Sequence, residues 1–475
     1  MSMKRNQAKA GNSHPRRALA LACVPAFMVG LDALVVTIAL ATIRRDLHAS
    51  VAQLGWIVNA YVLSFGVLIL LGAVLGDRLG RRRMFTAGLW IFTAASAACA
   101  LAPSPGLLVA ARTLQGAGAA LISPLSLALV SAAFPPGQRG KAIGIWGAIT
   151  GSAVAVGPVV GGAIVQGISW HWIFWINVPI GVAAAILSPR VFEESHGPRR
   201  TIDAPGVLLA SAGLLALVWA IIRGNASGWT SAEILTTLLA GVTLLAAFVM
   251  RQSRAASPML PRHLFADRSF VAANAATFLL TASLFGAAFL VPQYLQSGLH
   301  HSALDTGLML LPWTGVTMFV TPVAGVLADR VGNRPLMICG LLLQAIGFAW
   351  IGAQATPTLE YGMLIAPLLL AGIGISLVFG TVANAVVGGV TADDLGIAAA
   401  TNASFRQLGA PFGVAIASAV FAHAGGFATP QAIAAGVGPA LLVAGVISAL
   451  GAATALGVRA RPRVALGAPA PVPTS

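Results

Sequence analysis

The chain has 475 residues, of which 57% are hydrophobic and 9% are charged, and its mean hydropathy is +0.87. A soluble globular domain carries about 25% charged residues, so this composition excludes an ordinary soluble protein and indicates a chain that lies mostly in lipid. The net charge of +15 is typical of nucleic-acid-binding proteins, but the positions of the charges along the chain exclude that class.

Fourteen apolar segments follow one another along the chain. Most of them approach or exceed the ~20 residues that a helix needs to cross a bilayer. They predict an all-α integral membrane protein with fourteen transmembrane helices. The segments are 18–43, 53–75, 84–103, 106–134, 141–166, 171–190, 204–222, 234–250, 270–296, 306–328, 335–354, 361–388, 397–424 and 434–457.

The basic residues lie almost entirely on one side of these segments. Of the 28 Lys and Arg, 23 fall in the stretches that share a side with the N-terminus. Three lie in loops on the other side, Arg44, Arg45 and Arg223, and two, Arg112 and Arg406, lie inside apolar segments. Cytoplasmic loops of membrane proteins carry such an excess of Lys and Arg. We therefore expect both termini in the cytoplasm, contact with the lipid bilayer and no nucleic-acid partner.

The two ends of the chain repeat one another at an offset of 252 residues. GDRLGRRR at 76–83 matches ADRVGNRP at 328–335, and the same offset relates Gly157 to Gly409 and Gly161 to Gly413. This duplication predicts two six-helix halves, a common design of secondary transporters. We expect a tail (1–17), a first half (18–190), a linker with two inserted helices (191–269), a second half (270–457) and a tail (458–475).

Several stretches resemble signatures of the major facilitator superfamily, and in particular its fourteen-helix drug:proton antiporter branch. They are LDALVVTIALATI (31–43), GDRLGRRR (76–83) with its copy GVLADRVGNRP (325–335), RTLQGAG (112–118), GSAVAVGPVVGG (151–162), WHWIFWINVPIG (170–181) and NASFRQLGAPFGVA (402–415). The resemblance implies a major facilitator fold, two six-helix halves plus two inserted helices, in the cytoplasmic membrane of a bacterium. It also implies a proton-coupled multidrug efflux transporter.

The charged loop motif and its copy are candidates for a cytoplasmic gate. Their acids and arginines lie at helix ends, where a cluster of ion pairs can form in one conformational state and break in the other. The alternative is that the basic residues only fix the topology of the loop. The gate residues are Asp77, Arg78, Gly80, Arg81, Arg82, Asp329, Arg330, Gly332 and Arg334.

The fifth apolar segment carries the motif that resembles an antiporter signature, with Gly157, Pro158, Gly161 and Gly162. Small residues on one face let two membrane helices approach closely. Close packing is the simpler interpretation, and the resemblance implies the further role of preventing leakage while the transporter changes state.

Asp32 is the only one of the thirteen acids that lies well inside an apolar segment. An ionisable residue at such depth is costly and indicates a functional site. Arg112 lies in another segment at a compatible depth, and it stays protonated, whereas Asp32 can exchange a proton. The offset of 252 places Leu284 and Leu364 at the copied positions, so the pair belongs to one half only. We predict proton coupling by Asp32 and Arg112, with a fixed buried ion pair as the alternative.

Further polar or aromatic residues inside the apolar segments are candidates for substrate contacts in a central cavity. They are Tyr61, Gln115, Gln293, Trp313, Asn384, Asn402 and Arg406. The sequence offers no ligand set for a metal or a cofactor, because the adjacent His300 and His301 have no accompanying ligand. The sequence also shows no nucleophile–base set and no pair of acids of the kind that would indicate an enzyme.

The sequence thus predicts a proton-coupled antiporter that exports small amphipathic or hydrophobic compounds by alternating access. Protons and a small-molecule substrate would be its partners, and we expect a monomer, with the need for an accessory envelope protein left open. One alternative is a dedicated exporter of a single natural product. Another is a membrane receptor or scaffold that transports nothing.

Overall fold

The computed structural model describes residues 15–197, 203–254, 262–388, 390 and 395–459. Those residues form eighteen α-helices and one π-helical turn. Of the two predicted tails, 1–17 and 458–475, only residues 15–17 and 458–459 fall within the described part of the chain.

The helices follow one another with short connections. The first group is α1 (Pro15–Leu47), α2 (Val51–Leu79), α3 (Arg81–Ala100), α4 (Pro105–Ala133), α5 (Pro136–Gly167), α6 (Trp172–Trp175) and α7 (Asn177–Val191). Two helices come next, α8 (Ala204–Ser227) and α9 (Ala232–Arg254). The last group is α10 (Arg262–Ala266), α11 (Arg268–Gln293), the π-helical turn Tyr294–Gly298, α12 (Ala303–Met309), α13 (Leu311–Thr314), α14 (Thr317–Val331), α15 (Asn333–Ala353), α16 (Gly362–Val387), α17 (Leu395–Ala424) and α18 (Pro430–Ala455).

Thirteen helical segments of the described chain are long and apolar enough to cross a membrane, which confirms the all-α membrane fold. They correspond to thirteen of the fourteen predicted spans. The remaining predicted span, 84–103, corresponds to α3, a 20-residue helix that packs against α4 and α7. It begins with Arg81, Arg82 and Arg83, and these charges lower its apolar character, so α3 is not one of the thirteen.

Two bundles make up most of the molecule. We call α1–α7 the first bundle and α11–α18 the second bundle, because within each group the long helices pack mainly against one another. The bundles meet where α2 packs against α17 and where α5 packs against α12. Helix α8 packs on α9 and also on both α2 and α17, so it lies beside the seam between the bundles.

Equivalent turns in the two bundles share unusual backbone geometry. Gly80, between α2 and α3, has a φ of 107°, and Gly332, between α14 and α15, has a φ of 89°. Side chains disfavour this region, so both loops need glycine at this position. His48 and His300, also 252 residues apart, both have positive φ values, of 51° and 60°. The offset found in the sequence therefore relates backbone conformations as well as residue types.

The glycines of the antiporter-type motif bring α5 close to α1. A Cβ at Gly157 would lie 3.2 Å from Leu34 Cβ, and a Cβ at Gly161 would lie 3.2 Å from Val35 Cγ1. Pro158 falls within the same helix. This geometry accords with the close-packing interpretation of the motif, since bulkier side chains at these positions would push α5 away from α1.

The bundles touch at one end of the molecule, which we call the closed end, and it lies opposite the chain termini. Gln296 donates a hydrogen bond of 2.9 Å to the carbonyl oxygen of Ile38, and the Leu304 N–H donates one of 3.0 Å to Oε1 of Gln166. Gly162 fits against the backbone of Ala303, where a Cβ would lie 2.9 Å from the carbonyl carbon. Two hydrogen bonds between a glutamine side chain and a backbone group, and one close approach of two backbones, therefore close this end.

The bundles separate at the end that carries the termini. A Cβ at Gly144, Gly147 or Gly151 would find no atom outside α5 within 4 Å. Ile143 and Ile149, in the same turns of α5, are exposed. Among the described residues, α5 therefore contacts the second bundle toward its C-terminal end and lacks such contacts at Gly144, Gly147 and Gly151. An opening at one end is the geometry that alternating access requires of each state.

Candidate functional site

Asp32 and Arg112 form an ion pair in the interior of the first bundle. Asp32 lies near the middle of α1, and Arg112 lies about two turns into α4. The start of α4 is fixed by Ser104, whose hydroxyl accepts a hydrogen bond from the Leu107 N–H, and by Pro105 at the first helical position. The side chains of Asp32 and Arg112 are 1% and 0% exposed, so the pair is shielded from the opening between the bundles.

Three side chains donate hydrogen bonds to the Asp32 carboxylate. Arg112 donates to Oδ2, while Gln115 Nε2 and Asn177 Nδ2 donate to Oδ1 over 2.8 Å and 3.0 Å. The Gln115 amide also lies 2.8 Å from the hydroxyl oxygen of Ser96. The carboxylate is therefore held by groups from α4 and α7, and Ser96 of α3 supports one of them. A buried charge requires such compensation.

The Arg112 guanidinium has partners on three sides. It donates to Gln115 Oε1 over 2.6 Å and to the carbonyl oxygen of Ile57 over 3.3 Å. Its Cζ lies 4.1 Å from the centre of the Tyr61 ring, a cation–π geometry. Tyr61 is itself fixed by a 3.0 Å hydrogen bond from its hydroxyl to the Val29 carbonyl oxygen. Elements α1, α2 and α4 thus converge on one cation.

Two polar atoms beside the pair have no hydrogen-bond partner among the described residues. They are Nη2 of Arg112 and Oδ1 of Asn177, and both are buried. Such atoms are rare in folded proteins and call for an explanation. An amide rotated by 180° would offer Asp32 an acceptor in place of a donor, so Asn177 has the chemistry to contact the carboxyl group in either protonation state.

The structure distributes the seven predicted cavity residues over three environments. Tyr61 and Gln115 are fully buried and contact the ion pair. Gln293 is buried and donates to the Phe289 carbonyl oxygen, and Trp313 is buried with its ring 5.4 Å from that of Phe348. In this conformation these four side chains are not open to a cavity.

The other three predicted cavity residues reach the surface. Asn402 is half-buried, and its amide nitrogen lies 3.1 Å from both Asn274 Oδ1 and Thr277 Oγ1. Asn384 and Arg406 are exposed, although both lie within spanning helices. Of the seven, these three are therefore the residues that a solute could reach in the conformation described.

The predicted gate residues make contacts within the first bundle. Arg81 donates to Oδ1 of Asp77, with nitrogen–oxygen distances of 2.9 and 2.8 Å, and Arg82 lies 3.6 Å from the carboxylate of Glu194. Glu194 also accepts the backbone N–H of Arg82 over 2.9 Å, so it caps the start of α3. Arg78 is exposed at the end of α2.

In the second bundle, Arg330 is exposed and Arg334 is half-buried, while the side chain of Asp329 lies outside the described part of the structure. Among the described residues, no ion pair joins the loop of one bundle to the loop of the other. This agrees with an opening at the same end, because a gate across the bundles would be broken in this state. The gating role of both loops stays a prediction.

Sequence reasoning missed Asn177 and Ser96 as neighbours of the ion pair. Asn177 is a lone amide in the quoted stretch WHWIFWINVPIG, and Ser96 is one hydroxyl in an alanine-rich helix. Their burial, at 1% and 0% exposure, sets them apart from most polar residues. A polar residue isolated in an apolar segment is the signal that could have found Asn177. No group of three or more His, Cys, Asp and Glu among the described residues could hold a metal ion.

Comparisons with known proteins agree with this architecture. The Major Facilitator Superfamily model matches residues 22–272 and 273–474. The inward-open conformation of the xylose transporter XylE from E. coli superimposes with a TM-score of 0.63 at 15% identity, over 93% of this chain and 96% of that one. An auto-inhibited peptide transporter of the POT family gives a TM-score of 0.66 at 16% identity, over 93% and 96%. These two likenesses concern the fold alone.

Closer relatives are resistance and export proteins. The tetracenomycin C resistance and export protein of Streptomyces glaucescens is 34% identical over 88% of this chain and 78% of the relative. The puromycin resistance protein pur8 of Streptomyces alboniger is 35% identical over 86% and 82%. The multidrug resistance protein Stp of Mycobacterium tuberculosis is 35% identical over 83% and 74%. With a family model covering nearly all of its length and such relatives, the chain is a multi-pass membrane protein that belongs to the major facilitator superfamily.

Proposed function

We propose that the protein exports small amphipathic compounds from the cell in exchange for protons, by alternating access of a site between the two bundles. The observation that carries this proposal is the buried Asp32–Arg112 pair, a titratable group held beside a permanent cation at membrane depth. The relatives named for resistance and export support the direction of transport and the class of substrate.

The proposal places the termini, and with them the open end, in the cytoplasm of a bacterial cell. The asymmetry of the basic residues supports that orientation. The conformation described would then be inward-facing, ready to accept a compound from the cytoplasm. Closure of the open end and separation of the α5–α12 contact would lead to the outward-facing state.

Asp32 is the proposed proton carrier, and Arg112 modulates it. When Asp32 is ionised, the two charges neutralise each other. When Asp32 is protonated, the Arg112 cation loses its counter-charge, and this change in local charge favours a different arrangement of α1 and α4. A ligand or proton shifts a conformational equilibrium only through such a difference between states.

The energy available from one proton suffices for export. A proton that enters down 100 mV supplies ~2.3 kcal/mol, and one unit of pH difference adds ~1.4 kcal/mol. Together these terms sustain roughly a 500-fold gradient of a neutral solute. One proton carrier in the spans is therefore enough.

Everted membrane vesicles with an established pH gradient test the proposal. Candidate compounds are added while a fluorescent probe reports the gradient, and wild type is compared with Asp32→Asn. We expect compound-triggered proton release in wild type and none in Asp32→Asn. Equal release by both would exclude Asp32 as the carrier, and Arg112 would then be half of a structural pair.

Export of one natural product is the second candidate. It is favoured by relatives named for a single compound, such as the cephamycin export protein CmcT of Amycolatopsis lactamdurans, which is 36% identical over 84% of this chain. A panel of unrelated compounds separates the candidates, because a dedicated exporter releases protons with one chemical class only. A receptor or scaffold would release none with any compound.

A further inference from the structure

Arg406 is a cation within a spanning helix, and its side chain is exposed. It lies in the segment Ile397–Ala424, about 7 Å from the midpoint of that span. Among the described residues it has no ion pair, no hydrogen-bond acceptor and no aromatic ring against its guanidinium. Arg112, in contrast, is buried and neutralised by Asp32. The two intramembrane arginines are therefore in opposite electrostatic situations.

The packing of α17 shows which way Arg406 points. Residues Gln407 and Leu408 pack against Gly66 of α2, and Gly409 packs against Phe278 of α11. Leu408 also packs, with Phe412, on the α8 cluster that contains Leu214, Val218 and Ile222, so the α8-facing arc adjoins the α2-facing one and lies away from Arg406. At 100° per residue, Arg406 lies between the α11-facing residues Gly409 and Gly413 and the α2-facing Gln407, on the arc between a helix of the second bundle and a helix of the first. That arc faces the cleft between the bundles.

A polar neighbour lies one turn away on the same face. Asn402 is held by Asn274 and Thr277 of α11, both at 3.1 Å. Residues four apart on a helix are adjacent at its surface, so the Asn402 amide and the Arg406 guanidinium form a continuous polar strip. In a cleft with apolar walls, such a strip is a favourable place for a ligand's charged and hydrogen-bonding groups.

The physical consequence of an uncompensated cation is an attraction for anions. A charge at membrane depth is costly and is retained where it lines a water-filled passage or binds a charged group. A cleft with one sign of charge and low-dielectric walls concentrates ions of the opposite sign. Since the Asp32–Arg112 pair has no net charge, Arg406 is the uncompensated charge nearest the middle of the spans among the described residues.

We propose that Arg406 is a substrate-binding residue that selects amphipathic compounds with a carboxylate or sulfonate group. This inference rests on the proposed export function and names its substrate class. The guanidinium presents two parallel N–H groups to the two oxygens of such an anion, while the aromatic or aliphatic body of the compound lies along the apolar wall. A neutral compound of the same shape gains only the second interaction.

Equilibrium binding to the purified protein in lipid nanodiscs tests the site without requiring transport. The probes share one ring system and differ in charge: radiolabelled 2-naphthoate, 2-naphthalenemethanol and 2-naphthylmethylamine. Wild type is compared with Arg406→Gln, Arg406→Lys and the control Arg254→Gln, which removes an exposed arginine at the end of α9. We expect wild type and Arg254→Gln to prefer the carboxylate.

The expected effect of Arg406→Gln is about a 10- to 100-fold loss of naphthoate affinity, the range for one hydrogen bond between charged groups. Binding of the neutral alcohol should change less than twofold, and Arg406→Lys should retain part of the preference. Equal losses for all three probes would make Arg406 a structural residue and overturn the proposal. So would a wild-type protein that binds the alcohol or the amine as well as the carboxylate.

Proton release by the same compounds in everted vesicles separates this proposal from the export function. Release with the alcohol and not with naphthoate would leave proton-coupled export standing and overturn the anion site. Naphthoate binding that depends on Arg406, with no proton release by any compound, would support the site and contradict export. Naphthoate-triggered release that is lost in Arg406→Gln and kept in Arg254→Gln would support both.

Discussion

Nδ2 of Asn177 lies 3.0 Å from Oδ1 of Asp32, although 145 residues separate the two in the chain. The contact joins α7 to α1 at a buried carboxylate that is paired with an arginine. It gives a role in positioning to a residue that has no charge of its own. If Asp32 carries the proton, the amide beside it must accommodate both the charged and the neutral carboxyl group.

Replacing Asn177 by alanine should impair proton coupling more than substrate binding. The amide contacts the carboxylate and is buried, so its loss leaves Asp32 with one donor fewer and removes an amide that can also present an acceptor. We expect compound-triggered proton release in everted vesicles to fall about tenfold, as for the loss of one hydrogen bond to a charged group. The affinity for the compound, measured by binding to the purified protein, should stay within twofold.

Asn225→Ala is the matched control for that variant. The Asn225 side-chain amide also donates an interhelical hydrogen bond, to the Ala419 carbonyl oxygen. Asn225 lies in α8, away from the ion pair. If both alanine variants slow proton release equally, the effect is a general loosening of the helices. Such a result would remove Asn177 from the coupling site.

The effects of replacing Arg112 and Asp32 on the free energy of unfolding should depend on each other. Arg112→Leu leaves a buried carboxylate without its counter-charge, which typically destabilises a protein by about 3–5 kcal/mol. The double variant Asp32→Asn, Arg112→Gln has no unpaired charge and should recover most of that loss. Thermal unfolding of both variants in the same detergent checks the expectation. A double variant no more stable than Arg112→Leu would show that shape, and not charge balance, holds the site together.

The fold followed from the sequence more readily than the site did. The length of an apolar segment is enough to locate a span such as α9, regardless of the helices that pack against it. This holds because every helix that crosses the lipid needs about 20 apolar residues. An intramembrane acid such as Asp32 is likewise visible in a single segment, since charge at that depth is rare. Its contact with Asn177 depends on how α7 sits against α1, and one amide in an apolar stretch does not reveal its partner.

Other features depend on tertiary packing and produce no recognisable pattern in the sequence. The break between α6 and α7 at Ile176 interrupts an apolar run that looks continuous. The burial of Gln293 and Trp313 also depends on how the second bundle closes around α11 and α13. These two residues were predicted to face a cavity because they are polar or aromatic, and residue type alone does not set direction.

Gly162 should be required for the contact between α5 and α12 at the closed end. A Cβ there would lie 2.9 Å from both the Ala303 carbonyl carbon and the Leu304 Cα, so Gly162→Val cannot keep the present contact between α5 and α12. We expect the variant to populate states in which that end is separated. Spin labels at Arg45 and His301, measured by pulsed electron resonance, should show a longer distance than in the parent protein. The altered population should also slow export.

Gly167→Val provides the comparison, since a Cβ at that position of α5 would have nothing within 4 Å. It adds the same side chain near the same end of the helix without disturbing α12. An identical distance distribution in the two variants would mean that the glycine contact does not hold the closed end.

Glu194 should stabilise the loop between α2 and α3 through backbone capping. Its carboxylate accepts the N–H groups of Arg82 and Arg83 over 2.9 and 3.2 Å, at a helix start where the N-cap residue Gly80 has no side chain to accept them. We expect Glu194→Ala to destabilise the protein by about 1 kcal/mol, the typical value of a helix cap. The midpoint of thermal unfolding measures it.

Glu193→Ala controls for the loss of negative charge in the same segment, because Glu193 is exposed and its neighbour makes the capping contacts. A drop in the midpoint as large as that of Glu194→Ala would assign the effect to net charge. If Glu193→Ala keeps the wild-type midpoint while Glu194→Ala lowers it, the stabilisation comes from the helix cap.

The burial of Asp32 bears on what the protein does when no compound is present. Its side chain is 1% exposed even though the bundles stand apart at one end, so bulk water does not reach the carboxylate in the resting conformation. With Asp32 as the proton carrier, an idle molecule would neither load nor discharge a proton, and it would not dissipate the cell's electrochemical gradient. A cell could then keep many copies in its membrane with little loss of the proton gradient. Protons would enter through the protein only while a compound is being exported.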